Sequence, residues 1–426
     1  MISALGDPCS REIDCGPAQS CRLDTVDSNG DGHLDGTCQI DQSGAATGGD
    51  CVSDGDCRTG ICALDRCVEL CKSPGDCPTG TTCVNIPRLP ATGKPPLFTG
   101  CLQASGTLRL DFPVSSPHAL LRVPVPANAL SFALVAQIDN DAQLVGASRV
   151  TSPSGMVLYA TPFSKEEYYA NPLRHQPEPE ISTLVVPNTP AIGIETGAYD
   201  IEVGSFFEAG GQGTAIPSIS VFYKLSPATT LDLHLHFLDL SDHPCPGVAG
   251  LTATSAPGST DVRSYLDQLQ SILEAADVKL GNVTYADEQR PDLDGLRAQD
   301  LSRLLKLSSD PTGIHIFFTR SISPVGVQSL AGGNPGPPAM PGTRASGIAV
   351  SMDTLCYRSW TDLARITAHE LARYMGLFRN REPDGFLDPI PDSDDSSTNL
   401  MFYSELGGTQ LSPGQASVLQ LYPGLR

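Results

Sequence analysis

Cysteine is the residue that most limits what this chain can become. Twelve of its fourteen cysteines lie between Cys9 and Cys101, in three sets of four. The sets are Cys9, Cys15, Cys21 and Cys38; Cys51, Cys57, Cys62 and Cys67; and Cys71, Cys77, Cys83 and Cys101. Each opens C-x5-C-x4/5-C and closes after a gap of variable length, with Gly, Asp and Pro at the approaches: GDPC, SDGDC and SPGDC. Units this short cannot bury enough apolar surface to hold themselves together, so they need covalent staples. The chain has no Cys-x2-Cys pair of the kind that structural zinc favours. The expectation is a run of small modules over 1–101 with disulfides inside each module, made in an oxidising compartment. Four cysteines can pair in more than one way, and spacing does not choose among them.

Inside the first module lies DSNGDGHLDG, from Asp27 to Gly36. Asp27, Asn29, Asp31 and Asp35 put side-chain oxygens at alternating loop positions. The His33 carbonyl supplies another oxygen, and Gly32 falls at the sharp turn. That alternation suits Ca2+. Cys38 stands where a helix–loop–helix calcium site puts its bidentate glutamate, so the run is more similar to a thrombospondin type 3 calcium loop. The competing reading is an acidic, glycine-rich turn that holds no ion.

After Leu102 the cysteines stop and alternating apolar runs begin. TLRLDF, ALLRVPV, SFALVAQI, MVLYA, STLVVP, YDIEVGSF and SISVFYKL are separated by Pro, Gly and Asn. Short alternating runs without a helical stretch predict an all-β sandwich over 102–228. The pattern is similar to the jelly-roll accessory domains of secreted peptidases. Glu166, Glu167, Tyr168 and Tyr169 read as a solvated loop.

Charge narrows the partners. A net charge of −21 and a pI near 4.6 exclude a nucleic-acid or anionic-membrane surface. No apolar window reaches the length of a membrane-spanning helix. The start, MISALGDPCS, has neither a basic n-region nor an apolar h-region. The reading is a secreted or cell-surface protein whose leader lies outside this numbering, with a protein or peptide as partner.

Residues 229–426 change character again. LDLHLHFLDL, from Leu231, alternates as a strand, with His234 and His236 on one face. A helical period follows from Val262, then the strand VTYADE, a helix from Leu296, the strands GIHIFFTRSIS and ASGIAVSM, and a helix begun by Ser359 and Asp362. Cys245 and Cys356 are the only cysteines here and are expected to pair. Gly332–Gly342 (GGNPGPPAMPG) is expected to be a loop at a cleft rim.

The sharpest chemical signal sits on that last helix. AHELARYMGLFRNRE spans Ala368 to Glu382, and NLMFYS begins at Asn399. Residues four apart share a helical face, so positions 369 and 373 point the same way. Gly376 can take positive φ and turn the chain back. The stretch resembles the metzincin zinc-peptidase signature H-E-x-x-H-x-x-G-x-x-H followed by a Met-turn. The resemblance implies a mixed α/β (α+β) catalytic domain with His369 as zinc ligand, Glu370 as general base, Gly376 at the bend and Met401 in the turn. It also implies Zn2+ as cofactor. The second and third ligand positions hold Arg373 and Arg379. Arginine offers no lone pair and keeps its charge in proteins, so neither can ligate a cation.

Three functions follow as expectations. The first is a secreted metzincin homologue, a pseudopeptidase that binds peptide or protein through the old cleft, with an arginine–carboxylate cluster in place of zinc. The second is an active endopeptidase with Glu370 as base and ligands recruited from the acidic run Asp384–Asp395. The third is a calcium-dependent adhesive protein.

Overall fold

The computed structural model describes residues 4–24, 27, 30–89, 95–382, 385–403 and 407–426. The molecule is multidomain and mostly β, with few helices.

One small unit is built three times at the N-terminus. A 3-10 turn (Glu12–Asp14, Asp54–Asp56, Pro74–Asp76) leads into a hairpin (Gln19–Leu23 with Gly36–Ile40, Cys62–Ala63 with Arg66–Cys67, Thr81–Pro87 with Leu97–Gln103). Two disulfides tie each turn to its hairpin: Cys9–Cys21 and Cys15–Cys38, Cys51–Cys62 and Cys57–Cys67, Cys71–Cys83 and Cys77–Cys101. The pairing is first to third and second to fourth in every set. The SDGD and SPGD strings have a physical reason. Ser53 and Ser73 cap the turn, and Asp56 and Asp76 reach back to the Ser N–H groups at 2.7 and 2.8 Å. These modules do not stand alone. Leu34, Ile61, Val68, Ile86 and Phe98 share one apolar core with Val123, Tyr199 and Tyr223 of the following unit.

That unit is a sandwich of two antiparallel sheets. One runs Ile181–Val186, Ser131–Gln137, Ser218–Lys224, Thr107–Phe112; the other runs Val157–Ala160, Gln143–Thr151, Gly197–Phe207, His118–Val125. Glu166, Glu167, Tyr168 and Tyr169, read as a solvated loop, lie in a short helix, Lys165–Ala170. Its Tyr169 stacks on Phe386 with ring centroids 4.3 Å apart, so it is a contact within the protein.

The last part holds a five-stranded mixed sheet in the order Lys279–Glu288, Thr230–Leu238, Ile314–Thr319, Ile348–Ser351, Ser329–Ala331. The first four strands are parallel and Ser329–Ala331 is an antiparallel edge. The helices Thr260–Glu274 and Trp360–Tyr374 pack on each other beneath it. Two local expectations fail. The helix expected from Leu296 is only Leu301–Leu305, because Gly295–Arg297 pairs with the strand Ser321–Ser323 instead. The Pro/Gly stretch 332–342 is not a cleft rim. Pro335, Gly336, Pro337 and Pro338 are buried, and Ala339 and Met340 pack against Ala133, Val185 and Phe222 of the sandwich.

Cys245 is bonded to Cys356 across a separation of 111 residues. A loop of that size gives chain-entropy stabilisation of about 4–5 kcal/mol. The Cys245→Ser/Cys356→Ser double variant is therefore expected to lose several kcal/mol in urea unfolding. A midpoint unchanged from the parent protein would show that the bridge constrains nothing.

Candidate functional site

The helix Trp360–Tyr374 carries the candidate residues. Ser359 caps it, accepting from Asp362 N–H at 3.1 Å, while the Asp362 carboxylate reaches back to Ser359 N–H at 3.0 Å. Leu363, Ala364, Ala368, Leu371 and Ala372 bury one face in the core. The helix stops at Gly376, whose φ of +111° excludes a side chain on conformational grounds alone, since a Cβ there would meet nothing nearer than 3.9 Å. The chain then turns back through Arg379.

His369 lies against the turn that holds Met401. Its Nδ1–H donates to the Leu400 carbonyl at 2.8 Å, which leaves the lone pair on Nε2, and the residue lines a pocket. Burial pulls the ring below its ordinary pKa, while neighbouring Glu370 opposes that shift. Met401 is fully buried, and its N–H donates to the Asn399 side chain at 2.8 Å.

Glu370 is buried and occupied. One oxygen accepts from Ser329 Oγ at 3.2 Å and the other from Arg373 Nη1 at 3.3 Å. Arg379 faces Glu382 at 3.7 Å. Both arginines thus sit beside carboxylates close to His369, and each keeps a buried Nε with no hydrogen-bond partner. Glu370→Gln leaves the Arg373 cation without its counter-charge, and hydrogen bonds to charged groups are worth about 1.5–3 kcal/mol. The variant is expected to melt earlier by that margin at neutral pH. An unchanged melting curve would make the contact incidental.

Zinc does not fit this donor set. Among the described residues, no group of three converging His, Cys, Asp or Glu ligand atoms includes His369. The acidic run is spent elsewhere. Asp388 lies 3.8 Å from Arg174, Asp392 accepts from Ser412 Oγ at 2.9 Å and Gly414 N–H at 2.8 Å, and Asp395 pairs with Arg381 at 3.0 Å. Asp384 lies outside the described residues. The three cysteine triads whose sulfurs converge are all consumed in disulfides.

Three supports were invisible in the sequence. Ser329 comes from the antiparallel edge strand. Asn380 is fully buried and donates through Nδ2 to the carbonyls of Asp394 at 2.7 Å and Ser396 at 3.2 Å, tying the segment after Gly376 to the acidic run. Arg174 arrives from the sandwich. It is buried beneath Tyr169 and Phe378, with Glu382 at 3.7 Å and Asp388 at 3.8 Å, and donates to the Leu387 carbonyl at 3.1 Å. An Arg in a loop carries no pattern that would have flagged it.

His234 and His236 meet a third histidine, His315, on the neighbouring strand. His236 Nδ1 contacts Glu288 at 2.8 Å and its Nε2 contacts His315 Nδ1 at 2.9 Å, while His234 engages Thr284 Oγ1 at 2.7 Å and the Thr312 carbonyl at 2.6 Å. Only His236 and His315 bond to each other, while His234 stacks on His315, so the rings do not converge on one point, and burial takes His236 and His315 down to about 4.

In the calcium-type loop, Asp27 accepts from Gly30 N–H at 2.7 Å and Gly32 N–H at 2.8 Å, and Asp31 accepts from His33 N–H at 2.8 Å. Gly32 has φ +84°, and Asp35 accepts through its backbone carbonyl from Asp24 N–H at 2.8 Å. Asn29 lies outside the described residues. Among the described residues, no converging acidic triad forms there.

No protein-family model and no curated protein matches this chain. Among solved structures, one from infectious bursal disease virus, Gx strain, aligns with 33% of this chain and 38% of its own at 12% identity, with a TM-score of 0.15. At that score it carries no argument about fold or function.

Proposed function

We propose that residues 229–426 form a metzincin-type unit that has exchanged its metal for an arginine–carboxylate cluster and holds a peptide or protein segment without cutting it. The observation that carries this reading is the Arg373–Glu370 pair at 3.3 Å. The residue in the general-base position is engaged as a counter-ion, and the guanidinium occupies the position of the missing second ligand. Gly376 at positive φ, the His369 contact to Leu400 and buried Met401 support the retained frame. A metal-ligating histidine commonly donates its other N–H to a backbone carbonyl, and His369 keeps that arrangement. Residues 1–101 and 102–228 serve on this reading as stapled modules and a β-sandwich accessory unit. The test is metal analysis of the purified protein together with digestion of an unfolded protein substrate. Zinc-free, inert protein supports the reading; stoichiometric zinc with Glu370-dependent cleavage supports the active endopeptidase instead.

The cysteines support an oxidising compartment. None is free, and among the described residues no helix is long and apolar enough to cross a membrane. Such disulfide density supports secretion.

Calcium is the second part of the proposal. Asp27 is already folded into its loop by two backbone N–H groups, with Gly32 in the left-handed turn. Ca2+ bound by Asp27, Asn29, Asp31, the His33 carbonyl and Asp35 would relieve the repulsion of three carboxylates. Calcium is expected to raise the melting temperature and EGTA to lower it, with Asp31→Ala abolishing the response. Identical curves with and without EGTA would remove calcium from the account.

A further inference from the structure

The pocket beside His369 has a charge unlike the rest of the chain. The protein carries a net −21, yet Arg365 and Arg379 both line a cavity of about 210 Å3 where, among the described residues, the one acidic lining residue is Glu370. Glu370 does not pair with Arg379, because its oxygens are taken by Ser329 and Arg373. Glu382 lies 3.7 Å from Arg379, beyond hydrogen-bond reach, and is shared with Arg174 at 3.7 Å. The Arg379 side chain is 33% exposed. A guanidinium presents five N–H donors in a planar fork that matches a carboxylate in two parallel bonds.

Two further elements line the same space. His369 spends Nδ1–H on Leu400, so its neutral ring presents Nε2 as an acceptor for an N–H group. Val327, Ile366 and Phe402 supply apolar wall, and Val325, next to lining residue Gly326, is fully exposed. Pockets for drug-sized ligands run to roughly 300–1,000 Å3. This one is smaller and suits a single residue better than an extended strand.

We infer that the pocket binds the C-terminal residue of a peptide. The free carboxylate lies on the Arg379 fork, the last amide N–H donates to His369 Nε2, and an apolar side chain packs among Val327, Ile366 and Phe402. A terminal residue carries its carboxylate and its amide N–H on the same Cα, the compact pairing of acceptor and donor that this wall complements. An internal Asp or Glu would need chain to leave the cavity in both directions. The inference deepens the peptide-binding reading and rests on it.

The test is calorimetric titration of the full chain with Nα-acetyl-Ala-Ala-Leu as free acid and as C-terminal amide. A charged hydrogen-bonded contact of about 1.5–3 kcal/mol corresponds to at least about tenfold tighter binding of the acid. Arg379→Gln should bring the acid down to the level of the amide with the melting curve preserved, and Arg379→Lys, with charge but no fork, should fall between. Nα-acetyl-Ala-Ala-Glu amide binding as tightly as the Leu acid would reassign the site to internal acidic side chains and overturn the inference. Equal binding of acid and amide, unmoved by Arg379→Gln, would overturn it too while leaving the peptide-binding reading intact. Failure of every peptide to bind would count against both.

Discussion

The Arg373→His/Arg379→His variant is expected to bind a single zinc ion per chain, and the unaltered protein none. His369 already lines the pocket, its ring held by its bond to Leu400. Position 373 is one turn further along the same helix, and Arg379 lines the same cavity. Replacing both arginines removes two fixed cations and adds two imidazoles. It also leaves Glu370, a buried carboxylate, without the arginine it pairs with now. Three histidines and a water make a catalytic zinc site, so the gain should require both changes. Either single substitution offers only two nitrogens and is expected to bind far more weakly. Zinc content after dialysis is the primary readout. Thermal stability is the second, because a ligand at one hundred times its dissociation constant stabilises the folded state by about 2.7 kcal/mol. A double variant that folds but holds no zinc would mean that the segment after Gly376 no longer brings position 379 within reach of a metal.

Arg174→Ala is expected to be the most damaging single substitution outside the cores. The side chain is 2% exposed and lies between Tyr169 and Phe378, with Asp388 3% exposed beside it. Removing one partner of a buried pair costs about 3–5 kcal/mol, because the other charge is left in a low-dielectric site. Burial raises Asp388 from 3.8 to about 6, with Arg174 opposing that shift. The folded state therefore keeps this proton at pH values where the unfolded chain has released it. The group's own contribution to stability is greatest in acid and falls as pH rises from 3.8 to about 6. The ion pair exists only where Asp388 is ionised, so the loss in the variant should be largest above about pH 6 and shrink below it. Urea unfolding of both proteins across that range measures the difference. Arg174→Met, which restores bulk without charge, separates packing from electrostatics. A loss independent of pH would assign the role of Arg174 to packing on the two rings.

The elements that were legible in the sequence are those governed by local rules. The cysteine sets marked the stapled modules, and the SDGD and SPGD strings proved to be Ser-capped turns whose bonds close within a few residues. The site helix was marked by Ser359 and Asp362 at its start, an apolar stripe, and Gly376 at its end. That Arg373 and Arg379 cannot ligate a cation could also be read directly, because a guanidinium has no lone pair in any fold. The helix from Leu296 failed for the opposite reason: a long-range pairing with Ser321–Ser323 outweighed local propensity.

Tertiary structure alone decided which partners these residues meet. Glu370 finds Ser329 across 41 positions, Arg174 reaches Glu382 and Asp388 from the sandwich, and His236 meets His315 only because their strands are neighbours in the sheet. Nothing local encodes such contacts. A buried charge accepts whichever counter-charge the packing of distant apolar faces brings within a few ångströms. The sequence by itself therefore determined the stapled modules and the site helix. The fold determined that the arginines beside His369 have carboxylate neighbours, and that Arg379 faces a small cavity.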